Sequence, residues 1–246
     1  MIDLKNKVIV ITGGSGLLGK AFIKSICEAG GTAINADKNC VTDKELNNFC
    51  CDITSEEEVN KLVKWVLENY KRLDGWINNA YPRTSDWGTP IDKIPYDSWR
   101  KNIDMHLNSY FLCSRIALEK MKELGGGSLI NIGSIYGILG PDFSVYKNTN
   151  IVNPAAYSAI KGGIINMSRY LASYYGPFNI NVNCISPGGI FDNQPEEFVK
   201  NYNAKVPAGR MGLPEDIAPT AVFLLSKGAS YINGQNIVID GGWSAI

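Results

Sequence analysis

The sequence holds a single histidine, His106, among 246 residues. Its six cysteines, Cys27, Cys40, Cys50, Cys51, Cys113 and Cys184, form no C-x-x-C pair, and only Cys50 and Cys51 are adjacent. Zinc sites draw on Cys, His and carboxylates at short spacings, so this donor set predicts no metal centre. The thiols read as buried, reduced groups of a cytoplasmic protein. Net charge is absent as well, because Lys plus Arg and Asp plus Glu both total 24. A balanced chain has no global field to draw it onto nucleic acid or an anionic membrane, and no basic stripe with interleaved aromatics is evident. No apolar run approaches the roughly 18 residues of a membrane span. No charged region followed by a long apolar stretch precedes the first apolar run, so no signal peptide is expected. Repeats, low-complexity segments and Pro/Gly/Ser linkers are lacking too, which predicts one domain over residues 1–246.

What is present is apolar periodicity. The chain is 45% hydrophobic and 20% charged, enough for a sizeable core. Short apolar runs at 8–11, 32–36, 49–51, 75–77, 128–132, 180–185 and 236–239 read as strands, several of them apolar on both faces. Between them, helical spacing predicts helices over 17–29, 56–70, 97–121, 155–175 and 214–225. Ser55 with Glu58 three residues on forms a capping-box signature at the second. Strand and helix alternating in this way predict an α/β fold with a doubly wound parallel sheet. Residues 81–95, 135–154 and 189–205 are rich in loop signals and are expected to form substrate loops.

The first strand runs directly into Thr12-Gly13-Gly14-Ser15-Gly16-Leu17-Leu18-Gly19, and a helical pattern begins inside that string. Glycines there permit a tight turn, close approach of backbone to a pyrophosphate and close packing of helix on strand. The helix N-terminus supplies free N–H groups and a partial positive charge. Gly13, Ser15, Gly16, Leu17, Leu18 and Gly19 are therefore expected at a dinucleotide. Asp37 ends the second strand. A carboxylate there can accept from both adenosine ribose hydroxyls and would repel a 2′-phosphate, which favours NAD over NADP. Lys38 beside it would partly offset that repulsion.

Tyr157 and Lys161 lie four apart on a predicted helix and share a face. A nearby ammonium favours phenolate, so the pair can exchange a proton near neutral pH. Ser134 follows the fifth strand, at the end where such sheets bind ligands. Its hydroxyl could hold a reacting oxygen. Alone, a Tyr-x-x-x-Lys pair reads as a solvated helix face; with Ser134 and the nucleotide signature it reads as a catalytic set.

These residues, with Cys51-Asp52, Asn78-Asn79-Ala80, Pro187-Gly188 and the tail from Asn233-Gly234-Gln235 to Asp240-Gly241-Gly242, resemble the short-chain dehydrogenase/reductase family in order and over the whole length. The resemblance implies a seven-stranded sheet and a homotetramer or homodimer. It implies that Ser134 orients the substrate oxygen, that Tyr157 is the general acid/base, and that Lys161 lowers the tyrosine pKa and binds the nicotinamide ribose. Asp52 and Ile53 would meet the adenine, Asn79 and Ala80 would line the cofactor cleft, and Pro187, Gly188 and the backbone near Ile190 would lie at the nicotinamide.

Three positions depart from the family pattern. The glycine spacing places Leu17 where the short form carries glycine, and resembles that of longer relatives that modify nucleotide sugars. His106 stands where a catalytic asparagine is usual. A histidine there could support the proton relay, or could be a buried helix residue with a satisfied ring. Tyr81 replaces the usual glycine after Asn79-Ala80, and the segment between Ser134 and Tyr157 is longer than usual. Tyr81, Tyr136, Tyr146 and several asparagines could stack on and hydrogen-bond a sugar-like ligand, or be ordinary loop polarity. With residues 183–194, they give a narrower resemblance to oxidoreductases of bacterial surface-sugar pathways, including flagellin-modification proteins of the legionaminic-acid type.

The reading is an NAD-dependent oxidoreductase acting at a carbonyl or alcohol carbon of a small molecule, with a sugar derivative as candidate substrate. A sugar epimerase or dehydratase that recycles tightly bound NAD, and a non-catalytic nucleotide-binding scaffold, are the alternatives. The apolar tail, with Tyr231, Ile232, Ile237, Val238, Ile239, Trp243 and Ile246, could bury against a second subunit or serve its own edge strand.

Overall fold

The computed structural model describes residues 2–246. Its seven strands are β1 (Val8–Thr12), β2 (Thr32–Asp37), β3 (Asn48–Cys50), β4 (Gly75–Asn78), β5 (Gly127–Ile132), β6 (Ile180–Pro187) and β7 (Asn236–Ile239). They form one sheet in the order β3-β2-β1-β4-β5-β6-β7. Every neighbouring pair is parallel. The helices are α1 (Leu17–Glu28), α2 (Glu56–Tyr70), α3 (Tyr96–Asn102), α4 (Ser109–Glu123), α5 (Ala155–Tyr175), α6 (Glu196–Asn203) and α7 (Pro214–Leu225).

Alternation within β1 shows how both faces become core. Val8 and Val10 point into the layer formed by α2, α4 and α5. Ile9 and Ile11 point the other way, onto α1 and α7. A strand buried on both faces needs apolar residues at both parities, which is why this run lacks the usual polar alternation. The α4/α5 layer also encloses a polar chain. Trp76 Nε1 donates to Asn78 Oδ1 (2.7 Å), and Asn78 Nδ2 donates to Ser114 Oγ (2.9 Å) and Asn131 Oδ1 (2.8 Å). Asn131 Nδ2 donates to Ser168 Oγ (2.9 Å), whose hydroxyl donates to Ile164 O (2.8 Å). Each buried amide thus finds partners, as burial without water requires.

The structure departs from the expectations in five places. The helix expected over 97–121 is interrupted by a π-helical turn, Ile103–Asn108. Ser109 Oγ donates to Met105 O at 2.6 Å there, and one widened turn leaves no trace in a hydrophobic period. The 189–205 segment contains α6, whose buried Phe198 and Tyr202 sit four apart. The 135–154 segment contains two 3-10 turns, Ile135–Gly137 and Phe143–Tyr146, both shorter than the window periodicity needs. At α2, Ser55 Oγ accepts from the Glu58 N–H, but the Glu58 carboxylate reaches the Asp52 N–H (2.7 Å) and not that of Ser55. The cysteines are not uniformly buried: Cys27 and Cys50 are exposed and Cys40 is half-buried. Among the described residues no helix is long and apolar enough to cross a membrane.

Candidate active site

Strand order reverses between β1 and β4, so the crossovers on either side lead away from each other. That leaves a crevice at the carboxyl ends of the strands. A cleft of about 1130 Å³ occupies it, running from Asp37 and Asp52 past Gly13 to Tyr157 and Tyr202. A second depression, about 750 Å³ between α2 and α4, has charged walls and none of the catalytic candidates.

The glycine string is held by close backbone contacts. Gly13 has φ +67°, and a Cβ there would lie 2.7 Å from Ala80 Cα; one on Gly19 would lie 2.2 Å from Gly13 O. Thr12 Oγ1 accepts from the N–H groups of Asn79 (3.0 Å) and Ala80 (3.2 Å). Asn79 Nδ2 returns to Thr12 O (3.1 Å) and Gly13 O (3.0 Å). Asn79 therefore borders the cleft with its amide already engaged in fixing the turn. The α1 terminus has no side-chain cap and no acidic residue in its first turn. The N–H groups of Leu17, Leu18 and Gly19 find no protein acceptor among the described residues. Leu17 and Leu18 line the cleft, and orphan donors at a helix N-terminus beside it fit a pyrophosphate.

Asp37 is 8% exposed. Its Oδ2 accepts from Ser15 N–H (3.1 Å) and its Oδ1 from Asn39 N–H (2.9 Å). The carboxylate is thus fixed beside the glycine turn, with lone pairs left for ribose hydroxyls. Asp52 lies exposed at the cleft's end, where its Oδ1 accepts from the N–H (2.9 Å) and hydroxyl (2.8 Å) of Thr54. Ile53, buried, lines the same end. At the other end, Pro187, Gly188 and Ile190 border the cleft. The Ile190 carbonyl accepts from Gln194 Nε2 (2.8 Å), and its N–H has no protein acceptor among the described residues.

Ser134, Tyr157 and Lys161 converge on the cleft wall. Ser134 follows β5, and its Oγ accepts from Tyr136 N–H (3.2 Å). Lys161 is 4% exposed, not on a solvated helix face. Its Nζ donates to Ile132 O (2.8 Å) and lies 5.6 Å from the Tyr157 ring centroid. Burial drives the Lys161 pKa down to about 7, with the Cys184 thiol pulling it slightly back. Burial likewise pushes Tyr157 above the ordinary phenol value, opposed by the Ser134 hydroxyl. Desolvation dominates both groups, and Ser134 supplies the lowering influence.

His106 sits in the π-helical turn and is fully buried. Among the described residues neither of its ring nitrogens has a hydrogen-bond partner, nor does the nearby Tyr110 hydroxyl. The satisfied-ring expectation is thus corrected. Its ring centroid lies 5.1 Å from those of Tyr81 and Tyr110. Burial first, and the Lys161 charge second, hold its pKa well below the ordinary imidazole value. The residue stands behind Tyr81 and does not itself border the cleft.

Sequence reasoning missed several residues of the cleft. Trp87, in the loop after β4, meets Tyr81 edge-on at 5.8 Å and Tyr157 at 6.3 Å. Phe198 and Tyr202 arrive on α6 and Met211 just beyond it. A tryptophan in an otherwise polar loop was the one available signal for Trp87. Tyr136 and Tyr146 do meet there, hydroxyl to hydroxyl at 3.3 Å, with Asn153 Nδ2 donating to Tyr146 at 3.2 Å.

A family profile described as Enoyl-(Acyl carrier protein) reductase matches residues 28–244. The post-translational flagellin modification protein A of Campylobacter coli is 36% identical over 253 residues, covering 98% of this chain and 99% of that protein. The NAD-dependent glycerol dehydrogenase of Listeria innocua is 31% identical over 255 residues, covering 98% and 95%. Among solved structures, a short chain dehydrogenase from Leptospira borgpetersenii with bound NAD+ superposes with a TM-score of 0.89 at 35% identity, covering 98% of this chain and 94% of that one.

Proposed function

The chain belongs to the short-chain dehydrogenase/reductase family, an NAD(P)-dependent oxidoreductase acting on carbonyl or alcohol groups of small molecules, and from that premise we propose that it uses NAD on a sugar derivative. The observation that carries the reading is the convergence of Ser134, Tyr157 and Lys161 on one wall of the cleft that begins at the uncapped α1 terminus. Bound nicotinamide supplies or accepts the hydride. Ser134 Oγ holds the substrate oxygen, and the Tyr157 hydroxyl gives that oxygen a proton in reduction or takes one in oxidation. Lys161, anchored on Ile132 O, stands where it can bind a ribose hydroxyl and carry charge beside the phenol. Leu17, Leu18 and Gly19 N–H groups would hold the pyrophosphate, and Asp37 the adenosine ribose.

Asp37 supports NAD over NADP, since a 2′-phosphate would meet a carboxylate with 8% exposure and no lysine or arginine salt-bridged to it. Tyr81, Trp87, Tyr146 and Asn153 support a ring-shaped, hydroxylated substrate. A cytoplasmic homo-oligomer, dimer or tetramer, completes the reading. Tyr231 and Ile246 are fully or nearly exposed and would suit a subunit contact, whereas Trp243 stacks inward on Tyr202 at 4.5 Å.

The test is absorbance at the nicotinamide band with NAD(H) and NADP(H) in parallel. The substrates would be amino sugars, sugar phosphates, nucleotide sugars and simple ketones and alcohols. NAD-specific turnover that Tyr157→Phe reduces by about 10²–10⁴ supports the reading. NADH that co-purifies without net turnover would replace it by a self-recycling epimerase or dehydratase. Binding with no chemistry at all would leave a nucleotide-binding scaffold.

A further inference from the structure

The cleft's ionisable groups are unevenly distributed. Its acidic side chains, Asp37 and Asp52, are both at the adenosine end, together with Lys38. Among the described residues the substrate end is lined by no carboxylate, and its cations are buried Lys161 and exposed Arg83. Lys161 Nζ is committed to Ile132 O. Among the described residues Arg83 makes no salt bridge; its Cζ lies 5.0 Å from the Tyr81 ring centroid, and the guanidinium also acts on the Tyr81 hydroxyl as a hydrogen-bond donor. That ring in turn lies 5.8 Å from the Tyr157 ring. The guanidinium is therefore held two ring-widths from the proposed acid/base, at the mouth of a cleft otherwise walled by aromatic, hydroxyl and amide groups.

Resting on the oxidoreductase reading above, we infer that Arg83 is a specificity residue that reads an oxyanion, carboxylate or phosphate, on the substrate's far end. The guanidinium offers five donors in a planar fork that matches either group. With one donor turned to the Tyr81 hydroxyl, the exposed guanidinium keeps others for an incoming anion. The missing acids matter equally. A carboxylate at this end would repel an anionic substrate, and Asp37 and Asp52 lie along the cleft where the nucleotide, not the substrate, would separate them from it. A cationic ligand would instead meet Arg83 and Lys161 unopposed. The substrate class is thus a hydroxylated ring that carries one negative group away from the reacting carbon.

Three sugars sharing one ring make the test: glucose, glucose 6-phosphate and glucuronate. Each is titrated into the NADH complex while nucleotide fluorescence is followed, with wild type and Arg83→Gln. The expected result is that one or both charged sugars bind at least about tenfold more tightly than glucose. Which of the two gains identifies phosphate or carboxylate. Arg83→Gln should bring all three to one affinity while leaving the NADH dissociation constant unchanged. Equal affinity of the three sugars for wild type would overturn the inference. So would a charged-sugar advantage that survives in Arg83→Gln. Weaker NADH binding in the variant would overturn it too, by placing the guanidinium on the cofactor's pyrophosphate. Failure of wild type to bind NADH is read before any sugar is added, and would instead sink the oxidoreductase reading.

Discussion

The Tyr81 ring meets the His106 imidazole with centroids 5.1 Å apart and planes at 72°. The sequence reading marks both residues as departures from the family pattern, and they are distant in sequence. The fold makes them one departure, because the tyrosine occupies the space in front of the imidazole and screens it from the cleft. An edge-to-face pair of this kind contributes about 0.5–1.5 kcal/mol beyond area burial. Residues in contact are non-additive. Tyr81→Gly and His106→Asn should therefore couple by about that amount in a double-mutant cycle read by urea unfolding. Additive single effects would show that the two rings are neighbours without energetic connection.

His106 also predicts a limit on acid stability. Its folded pKa lies well below 6.5, because burial and then the Lys161 charge oppose protonation. Below pH 6.5 the unfolded chain binds a proton that the folded chain refuses. Stability must therefore fall as pH drops through 6.5 and keep falling toward the folded value. The melting temperature of His106→Asn should decline less steeply over pH 6.5 to 5 than that of wild type. Parallel slopes would mean that the imidazole escapes its burial by a local opening. An unchanged activity profile in this variant would count against a role special to the imidazole, and an unchanged profile in His106→Leu would remove the side chain from the proton relay.

Much of this was legible in the chain because it is written in backbone periodicity. The double parity of Val8 to Ile11 announced a strand covered on both sides, and the structure puts those four side chains into two separate cores. The glycines were legible for a steric reason, since a Cβ at Gly19 has nowhere to go. What escaped was whatever depends on three-dimensional neighbours. Trp87 reads as a loop residue until the fold sets it against Tyr157. The π-helical turn adds one residue to a helix without altering its composition. Burial of Lys161 also could not be read from spacing. Tyr-x-x-x-Lys states that two groups share a face, not that the face is dry, and it is dryness that lowers the ammonium and raises the phenol.

Asp37 gives a direct specificity prediction. Its two carboxylate oxygens are fixed by the Ser15 and Asn39 N–H groups, so the charge cannot swing away from an added 2′-phosphate. Asp37→Ser keeps an acceptor for the N–H groups and removes the charge. The ratio of kcat/KM for NADH to that for NADPH should fall by at least about tenfold, with Lys38 then free to pair the phosphate. An unaltered ratio would show that Lys38 already neutralises the site in wild type.

Lys161 sets the alkaline side of the stability curve. Its pKa is about 7 in the folded protein against 10.5 when solvated, because burial penalises the ammonium. Between those values the unfolded chain holds a proton that the folded chain has lost, so this residue makes stability rise with pH from about 7 upward. Above pH 9 the rise meets an opposing trend, since the buried Cys51, Cys113 and Cys184 thiols resist the ionisation that unfolding would allow. The useful quantity is therefore the difference between wild type and Lys161→Met across pH 7 to 9. Wild type should gain melting temperature relative to the variant as pH rises, in the absence of nucleotide. Saturating NADH should flatten that difference, because a ribose hydroxyl accepting from Nζ would favour the ammonium and return it toward its solvated pKa. A wild-type curve parallel to the variant's, with and without NADH, would mean that Lys161 stays charged in the folded protein throughout. The ammonium would then stand charged beside the phenol, where it can lower the phenol's pKa.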